Sequence, residues 1–192
     1  NNWQKMVGKA RQVTVDRAGN PWVVNAGAAI YSWDKAAKQG ATSSTVKPIS
    51  QILPEMLTGF QMQHSKRCLD NSGSTSRGAQ AHQWDCNASN TNQRWKVVYK
   101  DGTWFNLVNQ RTNMCLDVDG NSKNRGAKAH QWPCHGGANQ QWRIEDRGNG
   151  WFAIIARHSN KCLDVSGNGK NNGDKYHQWD CHYQGNQLFQ LF

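Results

Sequence analysis

Apolar and polar residues alternate along this chain only in short runs, and glycine, asparagine or proline separates one run from the next. In Gln12-Val13-Thr14-Val15 the apolar positions fall two apart, the period of a strand with one covered face. Asp16-Arg17-Ala18-Gly19-Asn20 reads as a turn. Pro21 opens a second run, Trp22-Val23-Val24-Asn25, and Gly27 precedes a third, Ala29-Ile30-Tyr31-Ser32-Trp33. Residues 1–33 therefore predict a three-stranded β-meander, the unit that forms one blade of a propeller. Asp34 to Thr45 has no period and little to bury, as expected of an exposed linker. Ile49 to Leu53 has the look of a short strand, and Pro54 ends it. The boundary is set there, dividing the chain into residues 1–54 and 55–192.

From Glu55 onward the pattern recurs three times. Each unit opens with an apolar run: Phe60-Gln61-Met62-Gln63, Trp104-Phe105-Asn106-Leu107-Val108 and Trp151-Phe152-Ala153-Ile154-Ile155. A polar turn leads to Cys-Leu-Asp (Cys68 to Asp70, Cys115 to Asp117, Cys162 to Asp164), then a loop rich in Gly, Asn and Ser. His-Gln-Trp-x-Cys follows at His82 to Cys86, His130 to Cys134 and His177 to Cys181. Asn-Gln pairs come next (Asn92-Gln93, Asn139-Gln140, Asn186-Gln187), and a closing strand completes the unit, as in Gln93 to Val97 or Gln140 to Ile144. The leading cysteines Cys68, Cys115 and Cys162 are 47 residues apart both times, a fixed period that signals a repeat architecture. Gly78, Gly126 and Gly173 each lie four residues before the histidine, which predicts a turn with positive φ. In the last unit Phe189 replaces the tryptophan of the closing strand. About four short strands per unit predict an all-β fold. The number and length of the units suit a three-lobed β-trefoil, preceded by the propeller-blade-like β-meander segment.

Composition narrows this picture. Only 36% of residues are hydrophobic, so the core is lean, while ten tryptophans and 18 glycines fit short strands and tight turns. No apolar run is long enough to span a membrane, and no signal peptide is visible. The abrupt start at Asn1 reads as a mature form or a piece of something longer. Net charge is +10, with 7 Lys/Arg against 2 Asp/Glu in residues 1–54. Such charge gives a soluble surface, or attraction to anionic polymers such as acidic glycans. No basic block is interleaved with aromatics, which argues against nucleic acid as a partner.

All six cysteines lie in the repeats, two in each. Six cysteines allow 15 pairings. If the units fold alike, the bridges are Cys68–Cys86, Cys115–Cys134 and Cys162–Cys181. Each would close a loop of roughly 20 residues, a constraint of about 3 kcal/mol on the unfolded chain. The rival reading is zinc, because His130, Cys134 and His135 lie close together, but the cysteine spacings do not match zinc motifs. No metal and no cofactor is expected. Disulfides imply an oxidising compartment, hence a secreted or cell-surface protein.

The repeat offers the groups a sugar demands. An aromatic ring meets the C–H face of a pyranose, a carboxylate accepts hydrogen bonds from vicinal hydroxyls, and amides both donate and accept. Alternation puts His82 with Trp84, His130 with Trp132 and His177 with Trp179 on one face of their strands, and Gln83, Gln131 and Gln178 on the other. The aspartates could equally cap turns, and the tryptophans of the Gln-x-Trp pairs, Trp95 and Trp142, suit the core.

Cys-Leu-Asp, aromatic-x-Cys and Asn-Gln-x-Trp in three copies resemble the ricin B-type lectin family over residues 55–192. The resemblance implies a β-trefoil with one possible sugar site per lobe, galactose and N-acetylgalactosamine being frequent ligands. It assigns Asp70, Trp84 and Asn92 to the first site, supported by His82 and Gln93. Asp117, Trp132 and Asn139, with His130 and Gln140, fall to the second. Asp164, Trp179 and Asn186, with His177 and Gln187, fall to the third. Histidine stands where that family more often has glutamine, and the first loop is one residue shorter than the others, which marks site one as altered. Residues 1–33 resemble a single tectonin-type propeller repeat, a family whose arrays bind glycans, and would serve as a second binding or oligomerising element. No nucleophile motif, catalytic carboxylate pair or phosphate loop is visible, so the chain is read as a non-enzymatic lectin for cell-surface glycoconjugates. The alternative is the glycan-targeting C-terminal part of a larger secreted toxin or hydrolase.

Overall fold

A computed structural model describes residues 57–192 in full and, before them, the backbone of residues 10–15, 21–25, 30–32 and 56. The first three segments are strands β1 (Ala10–Val15), β2 (Pro21–Asn25) and β3 (Ile30–Ser32), paired antiparallel in the order β1-β2-β3. The expected meander is present. The linker, the strand expected at Ile49 to Leu53 and the boundary at Pro54 lie outside the described residues.

The repeats form a second, 13-stranded sheet. Lobe 1 contains β4 (Met56–Thr58), β5 (Phe60–Met62), β6 (Cys68–Asp70), β7 (His82–Trp84) and β8 (Trp95–Asp101). Lobe 2 contains β9 (Trp104–Asn109), β10 (Cys115–Val118), β11 (Ala129–Trp132) and β12 (Trp142–Gly148). Lobe 3 contains β13 (Trp151–Ala156), β14 (Cys162–Val165), β15 (Tyr176–Trp179) and β16 (Phe189–Leu191). The first and last strands of each lobe pair around a barrel, closed where β16 meets β5 through Phe189 and Met62. The inner pairs β6–β7, β10–β11 and β14–β15 form three hairpins. This is the predicted all-β, three-lobed trefoil. One difference is local: the Asn-Gln pairs end short 3-10 turns, so the closing strands begin at Trp95, Trp142 and Phe189 rather than at the glutamines.

The core repeats with the sequence. Leu69, Leu116 and Leu163 are fully buried together with Phe60, Met62, Leu107 and Ile154. Trp95 and Trp142 are buried too, and each indole N–H donates to the carbonyl of the inner-strand leucine, Leu69 at 3.1 Å and Leu116 at 3.0 Å. Both tryptophans are thus core, in keeping with their Gln-x-Trp context. Phe189 is smaller and has no such donor. Lobe 3 fills the space with Tyr176, which stands where lobes 1 and 2 have Ala81 and Ala129 and lies 6.1 Å from the Phe189 ring. Its hydroxyl is buried without a partner among the described residues, and burial pushes its pKa well above the ordinary tyrosine value.

The glutamine of each His-Gln-Trp stitches its lobe to a neighbouring one. The Gln83 backbone N–H donates to Asp174, and the Gln83 carbonyl accepts from Gly173, both at 2.9 Å. Its side-chain amide donates to the carbonyls of Gly169 and Asn171, and its oxygen accepts from Ser65. Gln131 does the same to Ser74 and Ser76, and Gln178 to Ser122 and Asn124. Gly78 and Gly126 donate to the carbonyls of Gln131 and Gln178 at 2.9 Å. Their φ values of 78°, with 91° at Gly173, fall in the region only glycine enters freely, as predicted. At two of the three seams a histidine adds a bond: His64 reaches the Gly169 carbonyl at 2.7 Å and His158 the Ser122 carbonyl at 2.8 Å. The Nδ1 of each ring is buried without a partner among the described residues, and burial pulls both pKa values below the ordinary histidine value. Arg111 occupies the equivalent position in lobe 2.

Candidate functional site

Register decides which side chains meet. In all three hairpins cysteine lies opposite tryptophan, leucine opposite glutamine and aspartate opposite histidine: Asp70 faces His82, Asp117 faces His130, and Asp164 faces His177. Because side chains alternate, Asp, His and Trp share the outer face while Leu and Gln turn inward. The disulfides Cys68–Cys86, Cys115–Cys134 and Cys162–Cys181 join each hairpin to the loop after it, with Cα atoms 5.0 to 5.1 Å apart. Cys134 is therefore bonded to Cys115 and is not a zinc ligand, and among the described residues no cluster of metal-binding groups occurs.

In lobe 2 four side chains converge on one buried carboxylate. Asp117 Oδ1 lies 3.1 Å from His130 Nε2 and accepts from Asn139 at 3.0 Å, while Oδ2 accepts from Gln140 at 2.7 Å. His135 Nε2 stands 3.3 Å from Oδ2. Gln140 is held by the Pro133 carbonyl and the His135 N–H, so every polar atom of its amide is engaged and the aspartate is supported from below. Lobe 3 repeats this: Asp164 meets His177 at 2.9 Å, Asn186 at 3.0 Å, Gln187 at 2.7 Å and His182 at 3.3 Å. Above each carboxylate the histidine and tryptophan rings lie nearly parallel, with centroids 5.6 Å apart in lobe 2 and 5.3 Å in lobe 3. Trp132 is 38% exposed and Trp179 37%, large values for indoles that are not needed by the core. A cavity of about 500 Å³ opens in lobe 2, lined by Asp117, Asp119, Asn121, His130, Trp132, His135 and Asn139 among others.

Lobe 1 is built differently. Gln93 still supports Asp70, at 3.1 Å, and Trp84 is 44% exposed beside His82. Asn92, however, does not reach Asp70. Its side-chain oxygen accepts instead from Arg111 of lobe 2 at 3.3 Å, and Asp70 Oδ1 is taken by the backbone N–H of Ser72 at 2.7 Å. Val118 and Val165 offer carbonyls to Asn139 and Asn186, but the corresponding residue is Asn71, whose buried amide bonds Asn109 and Gln131. His82 lies 3.4 Å from Asp70, a looser contact than in the other lobes, and its other nitrogen faces Lys175.

His135 and His182 are the site residues that sequence reasoning passes over. Both directly follow the second cysteine of their lobes, where lobe 1 has Asn87. Gly137 N–H donates to His135 Nδ1, and Gln184 N–H to His182 Nδ1, which leaves each Nε2 to carry the proton and point it at the aspartate. The rims beside the tryptophans also differ. In lobe 3 Asp180 pairs with Lys161 at 2.8 Å and with Arg125 of lobe 2, and these cations, Lys161 first, hold its carboxyl below the usual range. In lobe 1 Asp85 pairs with Arg67 at 3.3 Å and with Asn172 of lobe 3 at 2.8 Å. Lobe 2 has Pro133 in that place.

A family model described as ricin-type beta-trefoil lectin domain-like matches residues 57–132 and 92–179. It does not extend to residues 1–33, whose expected resemblance to a tectonin-type repeat no comparison shows. Among solved structures, the chain is similar to the designed 3-fold symmetric protein ThreeFoil, with 34% identity, TM-score 0.68, and 70% of this chain and 96% of that one covered. An exo-beta-1,3-galactanase from Clostridium thermocellum matches at 24% identity and TM-score 0.69, covering 94% of this chain and 44% of its own. The Rhizoctonia solani agglutinin matches at 17% identity and TM-score 0.65, covering 76% and 99%. The last two show the fold alone. No curated protein matches the chain by sequence.

Proposed function

The chain belongs to the ricin-type β-trefoil lectin-domain family, and from that premise we propose a carbohydrate-binding protein with three unequal sites, one per lobe. The observation that carries the reading is the convergence of carboxylate, amides and histidine beneath a half-exposed tryptophan in lobes 2 and 3. A pyranose lies with its C–H face on Trp132 or Trp179 and turns two hydroxyls toward Asp117 or Asp164. Asn139 or Asn186 and His130 or His177 meet the same hydroxyls. Gln140 and Gln187 are buried and act by fixing the carboxylate. His135 and His182 are partly exposed and sit at the longest distance, so they are the partners an incoming hydroxyl displaces. Asp70, Trp84 and His82, with Gln93, form a weaker first site, since Asn92 is engaged elsewhere.

Galactose or N-acetylgalactosamine is the proposed sugar class, on terminal positions of cell-surface glycoconjugates. Single sites of this kind bind weakly, and three on one body act through avidity. The three disulfides suit a secreted or cell-surface setting. The meander of residues 1–33 serves as a second binding or oligomerising element. These residues bind without catalysing. A second reading, a glycan-targeting part of a larger toxin or hydrolase, is favoured by the similarity to the galactanase, of which the chain spans 44%.

The test is a glycan array probed with wild type beside the combined Asp70→Ala, Asp117→Ala and Asp164→Ala variant, with circular dichroism to check the fold. The folded variant is expected to lose the galactose-type signal. Undiminished binding would remove the pocket assignment.

A further inference from the structure

The three tryptophan rims follow one plan, and lobe 2 lacks half of it. Each rim combines the residue after the tryptophan with the residue that precedes the positive-φ glycine of the neighbouring lobe. In lobe 3 these are Asp180 and Arg125, which form an ion pair, with Arg125 also 5.9 Å from the Trp179 ring centre. In lobe 1 they are Asp85 and Asn172, joined by a hydrogen bond. In lobe 2 they are Pro133 and Arg77, and proline offers no acceptor side chain. Lobe 2 also has Met114 where the other lobes place Arg67 and Lys161, the cations from their own lobes that pair with the rim aspartates.

The backbone that carries Arg77 matches the one that carries Arg125. Gly78 and Gly126 donate to the glutamine carbonyl at 2.9 Å in both cases. Both share a φ of 78°, and a Cβ built on either would sit 3.8 Å from the edge of the tryptophan, Trp132 or Trp179. Arg77 is exposed and, among the described residues, forms no ion pair or side-chain hydrogen bond. We infer that Arg77 makes the lobe 2 site selective for glycans that carry an anionic group, a sulfate ester or a carboxylate, beside the sugar bound over Trp132. This rests on the reading of the lobes as sugar sites.

Two observations place the anion. The lobe 2 cavity is lined by Asp117 and Asp119, so the ring that fills it is uncharged. Arg77 is not part of that lining, and its counterpart Arg125 contacts the Trp179 ring and Asp180 rather than Asp164. The charge therefore belongs to a substituent or an adjoining residue that extends past Trp132. A guanidinium receives such an oxyanion through two parallel N–H bonds. At the lobe 3 rim the cations already serve Asp180, whose carboxylate also repels a second anion.

The experiment isolates site 2 by Trp84→Ala and Trp179→Ala, two exposed positions, and titrates three galactose-terminated disaccharides by calorimetry. One is neutral, one bears a sulfate monoester on the adjoining residue, and one bears a carboxylate there. At moderate salt the anionic probes are expected to bind about three- to tenfold tighter, the range for a charge-assisted contact at an exposed rim. Whichever probe is favoured identifies the anion. Arg77→Gln, and separately Pro133→Asp, which restores the rim acid of the other lobes, should bring the ratio to about one. A ratio of about one in the site-2 protein, or a ratio that survives Arg77→Gln, would overturn this inference while neutral binding persists. Failure of the wild type to bind any of the three would overturn the galactose-type site reading and this inference with it.

Discussion

Lobes 1 and 3 have the same pentapeptide, the same disulfide and the same paired strands, yet they hold their carboxylates differently. Asp164 is met by four side chains, and its asparagine and glutamine both bond Oδ2. Asp70 keeps its glutamine, but its asparagine is drawn off by an arginine from another lobe, and its own loop occupies an oxygen. The motif alone therefore does not fix how the carboxylate is held. Valine follows Asp117 and Asp164 and its carbonyl accepts from the downstream asparagine, whereas Asn71 follows Asp70 and Asn92 turns to Arg111.

The strongest challenge to this comparison is substitution of the two aspartates one at a time. Asp164→Ala should remove a charge-assisted hydrogen-bonding group and cost its site about 2–3 kcal/mol, roughly 30- to 150-fold in affinity. Asp70→Ala should change total glycan binding much less. Equal losses in calorimetry would erase the distinction between the lobes.

The seams should show the opposite, uniform behaviour. Gln83→Ala, Gln131→Ala and Gln178→Ala each remove a buried amide that holds the carbonyls of a neighbouring loop, and each should lower unfolding free energy by about 2 kcal/mol in denaturant titrations. A large spread among the three would mean that the lobes differ in their framework as well as in their sites.

Lobe 3 differs in its core as well. Tyr176→Phe keeps the ring that fills the space beside Phe189 and removes an unpartnered hydroxyl, so it should stabilise the fold by about 1 kcal/mol. A lower melting temperature would mean that the hydroxyl has a partner.

The smallest expected effect follows pH. His64 and His158 have pKa values depressed by burial, so the unfolded chain binds more protons than the native one below the ordinary histidine range. Their contribution is fully present above a pH of about 6.5 and is lost as pH falls through the depressed native values. Melting temperature should drop on mild acidification, and His64→Gln with His158→Gln should flatten that drop. An unchanged slope would show that other groups carry the acid sensitivity.

Much of the fold and of the site is legible in the amino-acid sequence. Alternation within His-Gln-Trp separates the inward Gln178 from the outward His177 and Trp179, and the equal offsets of Gly78, Gly126 and Gly173 announce their turn. The one-residue deletion marks lobe 1 as different. How its site departs from the others is not legible, because Arg111, which takes Asn92, comes from the next repeat and reaches it through the fold. The role of the inward glutamines is hidden for the same reason, since the carbonyls they hold belong to loops of another lobe. His135 and His182 are open to reading from their place beside a cysteine. Their approach to the aspartate depends on a disulfide that turns the loop back over the hairpin.

The glutamine stitches have one more consequence. Each lobe presents a hook, its amide, and an eye, the loop carbonyls that a neighbour's amide seizes. A solenoid built from such units would grow without limit and need special caps at both ends. Here the rotation between units brings the hook of lobe 1 to the eye of lobe 3, and every valence is spent after three. The copy number is thus a property of the joint rather than of the chain. A fourth unit would bring its own hook and eye, so the angle between neighbours, and not a shortage of partners, closes the ring at three.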